Sequence, residues 1–365
     1  MAVISCSPAP PISILESPGV CIWNQSGGNA TRSAYSEAVY AAGRFSLLWN
    51  KRLKAPATVE PTIEMGAIFI PATDKSIYIV SLEDGRQLGS ISLNEPATTP
   101  CAVSESLITI SEFGKSLSVR NWVDGRKVWA VDLYGAESEP LLYNGLLYWQ
   151  DGKRILHCFS LIEGKRVWER PLDFEAAAAP AACSVGLALV DVNGATHFLS
   201  LDGERQLWSL ETGARIRNSP LLTGEYLYYS TVDGKLGKIN VIDGLKSWET
   251  ALESQFIAPP ASDGEAVFLG TSSGMLIRIN AQDGSRGWQL QLGGPISAGI
   301  SIAGEFIIAA DLNRRVYIVD KHNGAIRFEH ETEGMISARP VVCGNRIYVA
   351  GEDKNLYCLR ISEKE

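Results

Sequence analysis

The side chains that usually carry chemistry are few in this sequence and poorly spaced for it. Four histidines and seven cysteines occur in 365 residues. No Ser/His/Asp or Cys/His set has a spacing that suggests nucleophilic catalysis. No Cys-x-x-Cys pair and no Cys/His cluster has zinc spacing. His157 and His197 fall in a repeat slot that holds Tyr78, Tyr317 and Tyr357 elsewhere, so they read as variants of one structural position. His322 and His330 flank the Asn323–Gly324 turn and are expected in solvent. Cys158 and Cys358 share one repeat position, and Cys183 and Cys343 share another. Both positions are otherwise apolar, so small buried hydrophobes are expected there rather than disulfides. Asp191, Asn193 and Gly194 open like a calcium loop, but the distal glutamate is missing. The residues therefore predict no catalytic group, no metal site and no cofactor.

Two groups of residues remain as candidates for binding, and both depend on an architecture to place them. The composition is globular, 45% hydrophobic and 20% charged, with a net charge of −8. That balance argues against a nucleic-acid surface, which needs a basic face. No apolar run reaches the roughly 18 residues of a membrane helix.

The organising feature is a period of about forty residues. Gly85, Gly125, Gly164, Gly203, Gly244, Gly284 and Gly324 are separated by 39 to 41 residues, and each follows Asp, Glu or Asn. Such pairs favour positive φ and tight hairpin turns. A large aromatic follows four or five residues later, at Trp129, Trp168, Trp208, Trp248, Trp288 and Phe328, while the slot after Gly85 holds Leu88 and Gly89. Prolines at 61, 100, 140, 180, 220, 260 and 340 keep the same period, with Gly299 in the missing place. Proline has no backbone donor and suits the start of a strand. Between these marks run short segments rich in Ile, Val and Tyr, four per repeat, and the third recurs eight times from Ile77–Val80 to Leu356–Leu359. Helix-period texture is confined to a short stretch near residues 36–42.

Four-stranded repeats of this length are propeller blades. The expected fold is all-β, an eight-bladed β-propeller of four-stranded antiparallel blades. The last repeat lacks a fourth strand, and Arg44–Leu53, with Trp49 two periods before Trp129, is a fourth strand with no blade before it. This N-terminal strand is expected to complete the last blade and close the ring. Trp49, Trp129, Trp168, Trp208, Trp248 and Trp288 are expected to dock blade on blade, with a neighbouring backbone carbonyl accepting each indole N–H.

In this frame, residues just before the prolines ring one mouth of the central channel. They read Glu60, Thr99, Glu139, Ala179, Ser219, Pro259, Ala298 and Arg339. Glu60, Glu139 and Arg339 there suit a small polar ligand or ion, or a wetted channel wall. Phe174, Phe256 and Ile257 lie in connections between blades, where exposed apolar side chains suit a protein partner and folded-back ones suit the core.

The turn-glycine-to-tryptophan string, seen from Trp122 to Trp129 and from Asn240 to Trp248, resembles the docking repeat of the PQQ-repeat, quinoprotein-like propeller family. The leader from Trp23 to Tyr35, followed by Leu47 to Trp49, resembles the usual entry into such propellers, and the resemblance spans roughly residues 23–361. That family contains dehydrogenases and non-catalytic members. The resemblance to quinoprotein dehydrogenases implies long insertions, an adjacent Cys–Cys pair and calcium-binding Glu, Asn and Asp residues; here there is no Cys–Cys pair and the repeats are even. A bare ring is similar to the lipid-anchored scaffold of outer-membrane β-barrel assembly, which faces the periplasm. It is equally compatible with a periplasmic or surface ligand-binding or sensor propeller. The expectation is a non-catalytic envelope protein with a protein partner, such as an outer-membrane assembly protein.

Val3 to Cys6 fits the end of a bacterial lipoprotein signal, with Cys6 as the lipidated residue, although a basic region and most of a hydrophobic segment are missing before it. The expectation is a truncated start, with residues 1–43 as tether and leader and 44–365 as a single propeller.

Overall fold

The structure, a computed structural model, describes residues 23–37, 43–112, 116–132 and 138–363. Every regular element among them is a β-strand. Seven antiparallel sheets follow one another along the chain, from Thr62–Glu64, Ala67–Ala72, Ser76–Ser81 and Gln87–Ser92 in blade 1 to Ser301–Ala303, Phe306–Ala310, Arg315–Asp320 and Ile326–Glu331 in blade 7. The eighth takes Val341–Cys343, Arg346–Ala350 and Asn355–Glu363 from the end of the chain, and Gly43–Arg52 from its beginning. Those last two strands pair antiparallel from Gly43 opposite Glu363 to Arg52 opposite Asn355, closing the ring as expected.

The burial pattern explains the sequence texture. Second strands such as Ala67–Ala72 and Ala266–Gly270 are buried along their whole length, because neighbouring blades cover both faces. Outermost strands such as Arg166–Pro171 and Lys246–Ala251 alternate exposed and half-buried positions.

Each outermost strand also carries a register shift next to its aromatic slot, for example between Lys127 and Trp129. A bulge of this kind re-aims a side chain, and here it turns the indole toward the following blade. Trp129 Nε1 donates to Leu161 O at 2.7 Å, Trp168 to Leu201 O at 3.2 Å and Trp208 to Val241 O at 2.8 Å. Trp248, Trp288 and Trp49 donate to Ala281 O, Lys321 O and Glu83 O at 3.2, 2.9 and 3.1 Å. The ring of each lies on the turn glycine of the next blade. These glycines have φ between 67° and 73°, and a Cβ on Gly164 would fall 2.5 Å from Trp129 Cγ. Glycine is needed there twice over, for the backbone and for the indole.

The prolines stand immediately before the innermost strand in six blades. In the other two the register differs from expectation. Cys101 precedes Ala102–Ser104 and Ile300 precedes Ser301–Ala303. Pro100 and Gly299, rather than Thr99 and Ala298, therefore share the slot of Glu60, Glu139 and Arg339. Of the stretch 36–42, Ser36 ends a strand and residues 38–42 lie outside the described part. Residues 1–22, with the candidate lipidation site Cys6, also lie outside it.

Candidate functional site

The axis of the ring is occupied by the chain itself. Trp23 exchanges both backbone hydrogen bonds with Ile63 in blade 1, at 3.1 and 2.7 Å. Val103 N–H then donates to Asn24 O, and the Gln25 side chain both donates to and accepts from the backbone of Leu142. Ala182, Leu222, Ser262 and Ile302 donate to the carbonyls of Ala30, Thr31, Ser33 and Ala34 at 2.8 to 2.9 Å. One short segment thus serves the innermost strands of seven successive blades. It curls tightly enough to need positive φ at Gly27 and Gly28, and at Arg32 and Ala34 as well. It leaves as Tyr35–Ser36, paired parallel with Ser301–Ala303 as a fifth, axial strand.

Glu60, Glu139 and Arg339 all engage this plug or each other. Glu60 Oε1 accepts from Trp23 Nε1 and from Gly27 N–H, both at 2.8 Å, and Ser26 Oγ donates to Oε2 at 3.3 Å. Arg339 Nε lies 3.6 Å from Glu60 Oε2. Its guanidinium is buried against Gly299, where any Cβ would collide with it, so the glycine at 299 has a steric reason. Desolvation pushes the Arg339 pKa down, Glu60 and Glu139 act against that shift, and the Arg32 charge adds to it. Glu139 Oε2 accepts from Arg32 Nη1 at 2.8 Å, and Arg32 Nε donates to Pro180 O at 2.8 Å. Arg32 is central to the site but was not singled out in the sequence; the only signal was its place in the leader string.

The mouth is asymmetric. A cavity of about 630 Å³ opens over blades 2 to 6, with Glu139, Thr99, Arg217, Ser219 and the four alanines 176–179 among its lining. The connection from blade 3 to blade 4 contributes only methyl groups to it at those four positions. Across the axis the equivalent space holds Arg339.

The three apolar loop residues separate. Phe174 is 6% exposed and stacks on His197 with ring centroids 3.7 Å apart. Phe256 is 2% exposed and packs between blades 5 and 6. As partner-binding residues these two are corrected: burying the rings leaves no apolar face for a partner. Ile257 is 42% exposed. Trp149 is fully buried, its Nε1 donating to Ser138 O.

The histidines of the shared slot sit in a repeated device. Asp151 caps its hairpin through the N–H groups of Lys153 and Ile155 and faces His157 Nε2 at 3.1 Å; Asp191 and His197 repeat the arrangement at 3.4 Å, and Asp311 and Tyr317 at 3.1 Å. Among the described residues no three His, Cys, Asp or Glu side chains are grouped to hold a metal ion. Burial pushes the free thiols of Cys101, Cys158 and Cys358 up to about 12, which makes them inert. Cys343, expected as a small hydrophobe, is disulfide-bonded instead. Its reach to a second sulfur is a matter of three-dimensional placement that a repeat position does not encode.

Comparisons with known proteins agree with this architecture. The sequence profile of the family described as outer membrane protein assembly factor BamB matches residues 164–296 and 274–364, more than half of the chain. No curated protein sequence matches significantly. Among solved structures, BamB from Moraxella catarrhalis superposes with a TM-score of 0.74 at 16% identity, covering 87% of this chain and all of that one. The quinohemoprotein alcohol dehydrogenase from Comamonas testosteroni superposes with a TM-score of 0.79 at 9% identity, covering 96% of this chain and 82% of that one. A computationally designed protein, Ika8, gives 0.74 at 12%, covering 85% and 98%. Likeness at these identities is likeness of fold. The family match goes further: this chain, an eight-bladed PQQ-repeat propeller, belongs to the family of outer membrane protein assembly factor BamB.

Proposed function

We propose that the protein is a non-catalytic scaffold of the bacterial cell envelope, acting through a protein partner in outer-membrane β-barrel assembly. The observation that carries this reading is the filled axis. The innermost strands of seven blades spend their backbone hydrogen bonds on the chain's own Trp23–Ala34 segment, so what the ring offers to others is its surface. Membership of the BamB family supports the partner. The disulfide at Cys343 suits an oxidising compartment such as the periplasm. Lipidation at Cys6, within a tether and leader of residues 1–43, would hold the 44–365 propeller to the outer membrane. The mouth cavity favours a second reading, a ligand-binding or sensor propeller. The dehydrogenases share the fold without lending their activity.

The test is a photo-crosslinking residue at Ile257 in cells, followed by capture from membranes. An adduct with an outer-membrane β-barrel assembly protein is expected. Absence of that adduct, with dye-linked alcohol oxidation after reconstitution with PQQ and Ca²⁺, would overturn the scaffold reading.

A further inference from the structure

The open half of the mouth has a more specific shape than a water-filled channel end. Of the three carboxylates that line it, Asp151 is spent on its hairpin N–H groups and His157, and Glu175 pairs with Arg154, which leaves Glu139. Glu139 has 29% of its side chain exposed, and its Oε2 is held by Arg32, which is only 5% exposed and is itself fixed by Pro180 O. The carboxylate is therefore preorganised, and its partly exposed side chain belongs to the cavity lining. One wall is methyl groups, Ala176 to Ala179, and among the described residues no aromatic ring lines the cavity. The rim carries Arg217, which makes no ion pair among the described residues, and Arg154, already paired with Glu175 at 3.3 Å.

We infer that this cavity is a slot for a lysine side chain presented by a protein partner on an acid-flanked loop. The inference rests on the partner-binding reading above. An apolar stem ending in a compact ammonium fits a methyl wall that ends in a carboxylate. Lysine is preferred over arginine because Arg32 already takes one oxygen of Glu139, so a second guanidinium has no fork to bind. An anionic tip would meet the Glu139 charge. The Arg217 charge at the rim favours carboxylates beside the lysine and disfavours a run of basic residues. Specificity of this kind combines attraction at the tip with repulsion at the rim.

The experiment is a nuclear magnetic resonance titration of the full chain with N-acetyl-Asp-Lys-Asp-amide, and with the same peptide carrying norleucine or arginine in the centre. Saturable binding of the lysine peptide is expected, with the norleucine peptide at least about tenfold weaker and the arginine peptide between them. Glu139→Gln should weaken the lysine peptide about tenfold. Because that change also loosens Arg32, Ala178→Phe is the second variant: it fills the slot, leaves the Arg32–Glu139 pair in place, and should abolish binding. Equal affinity for lysine and norleucine, no saturation by the lysine peptide, or binding that survives Ala178→Phe would overturn the slot. A partner adduct at Ile257 together with any of these results would remove the slot and leave the scaffold reading standing.

Discussion

Six of the eight joints between blades are built one way, and two are not. In the six, a bulged outer strand sends an indole onto the next blade's turn glycine and its N–H onto a nearby carbonyl. Between blades 1 and 2 the direction is inverted. Gly89 stands where the indole would start, and nothing lies within 4 Å of a Cβ built on Gly125. Instead Trp122 of blade 2 is buried, meets Phe69 of blade 1 edge to face at 5.1 Å, and donates to Glu105 O in its own blade. Between blades 7 and 8 the receiving turn does not exist, because the outer two strands of blade 8 come from opposite ends of the chain. An indole N–H there would have no turn carbonyl to reach. Phe328 occupies the slot and packs on Phe45 of the closing strand at 6.1 Å, with Phe45 against Phe306 at 5.0 Å. The aromatic is thus chosen by what the neighbour presents, a glycine turn or an apolar strand.

The sharpest way to break this comparison is to add one methyl at two turn glycines. Gly125 and Gly164 share a left-handed backbone, so alanine costs about 1–2 kcal/mol at each for that reason alone. Gly164→Ala must also displace the Trp129 indole, which adds a further 1–3 kcal/mol of overpacking. Denaturant unfolding should therefore find Gly164→Ala more destabilising than Gly125→Ala, and lose the Trp129 fluorescence environment only in the former. Equal losses would mean that the indoles do not depend on the turns they cover.

A smaller effect tests whether the inverted joint can be rebuilt in the usual direction. Trp122→Leu restores the aliphatic type found at that slot in Leu161, Leu201 and Val241 and should cost about 2–3 kcal/mol through lost aromatic packing. Adding Gly89→Trp should recover at least half of it, since Gly125 is uncovered and the bulge in the blade 1 outer strand is already present. Failure of the double variant to regain stability would show that blade 1 lacks more than an indole.

These joints also mark what the sequence reveals and what it hides. Blade number, strand runs and ring closure are legible because turn glycines, bulged tryptophans and apolar strands are local and repeat. The plug is not, because Trp23 to Ala34 contacts seven blades mainly through backbone atoms, which leave no periodic side-chain trace. Trp23, Gln25 and Arg32 add side-chain contacts, but the partners of Gln25 and Arg32, Leu142, Pro180 and Glu139, are more than a hundred residues away. The cavity is half visible: the alanine run 176–179 can be read, but that it borders the partly exposed Glu139 requires the ring. Phe174 and Phe256 misled because a connection between blades can run inward as easily as outward.

The seam joint carries a pH dependence of its own. His330 lies beside Phe328, with its ring 5.6 Å from Tyr357 on the strand that receives Gly43–Arg52. Burial pushes its pKa below the ordinary value, and its Nε2 is buried without a partner. The unfolded chain therefore takes up a proton at higher pH than the folded one. The stability tied to neutral His330 is complete above the unfolded value of about 6.5 and declines as pH falls from there toward the folded pKa. Thermal melting followed from pH 7.5 to 5 should show a decline in this window that His330→Phe removes, while the parent and the variant stay parallel above pH 7. A decline of the same size in both would assign the acid sensitivity to a group outside the seam.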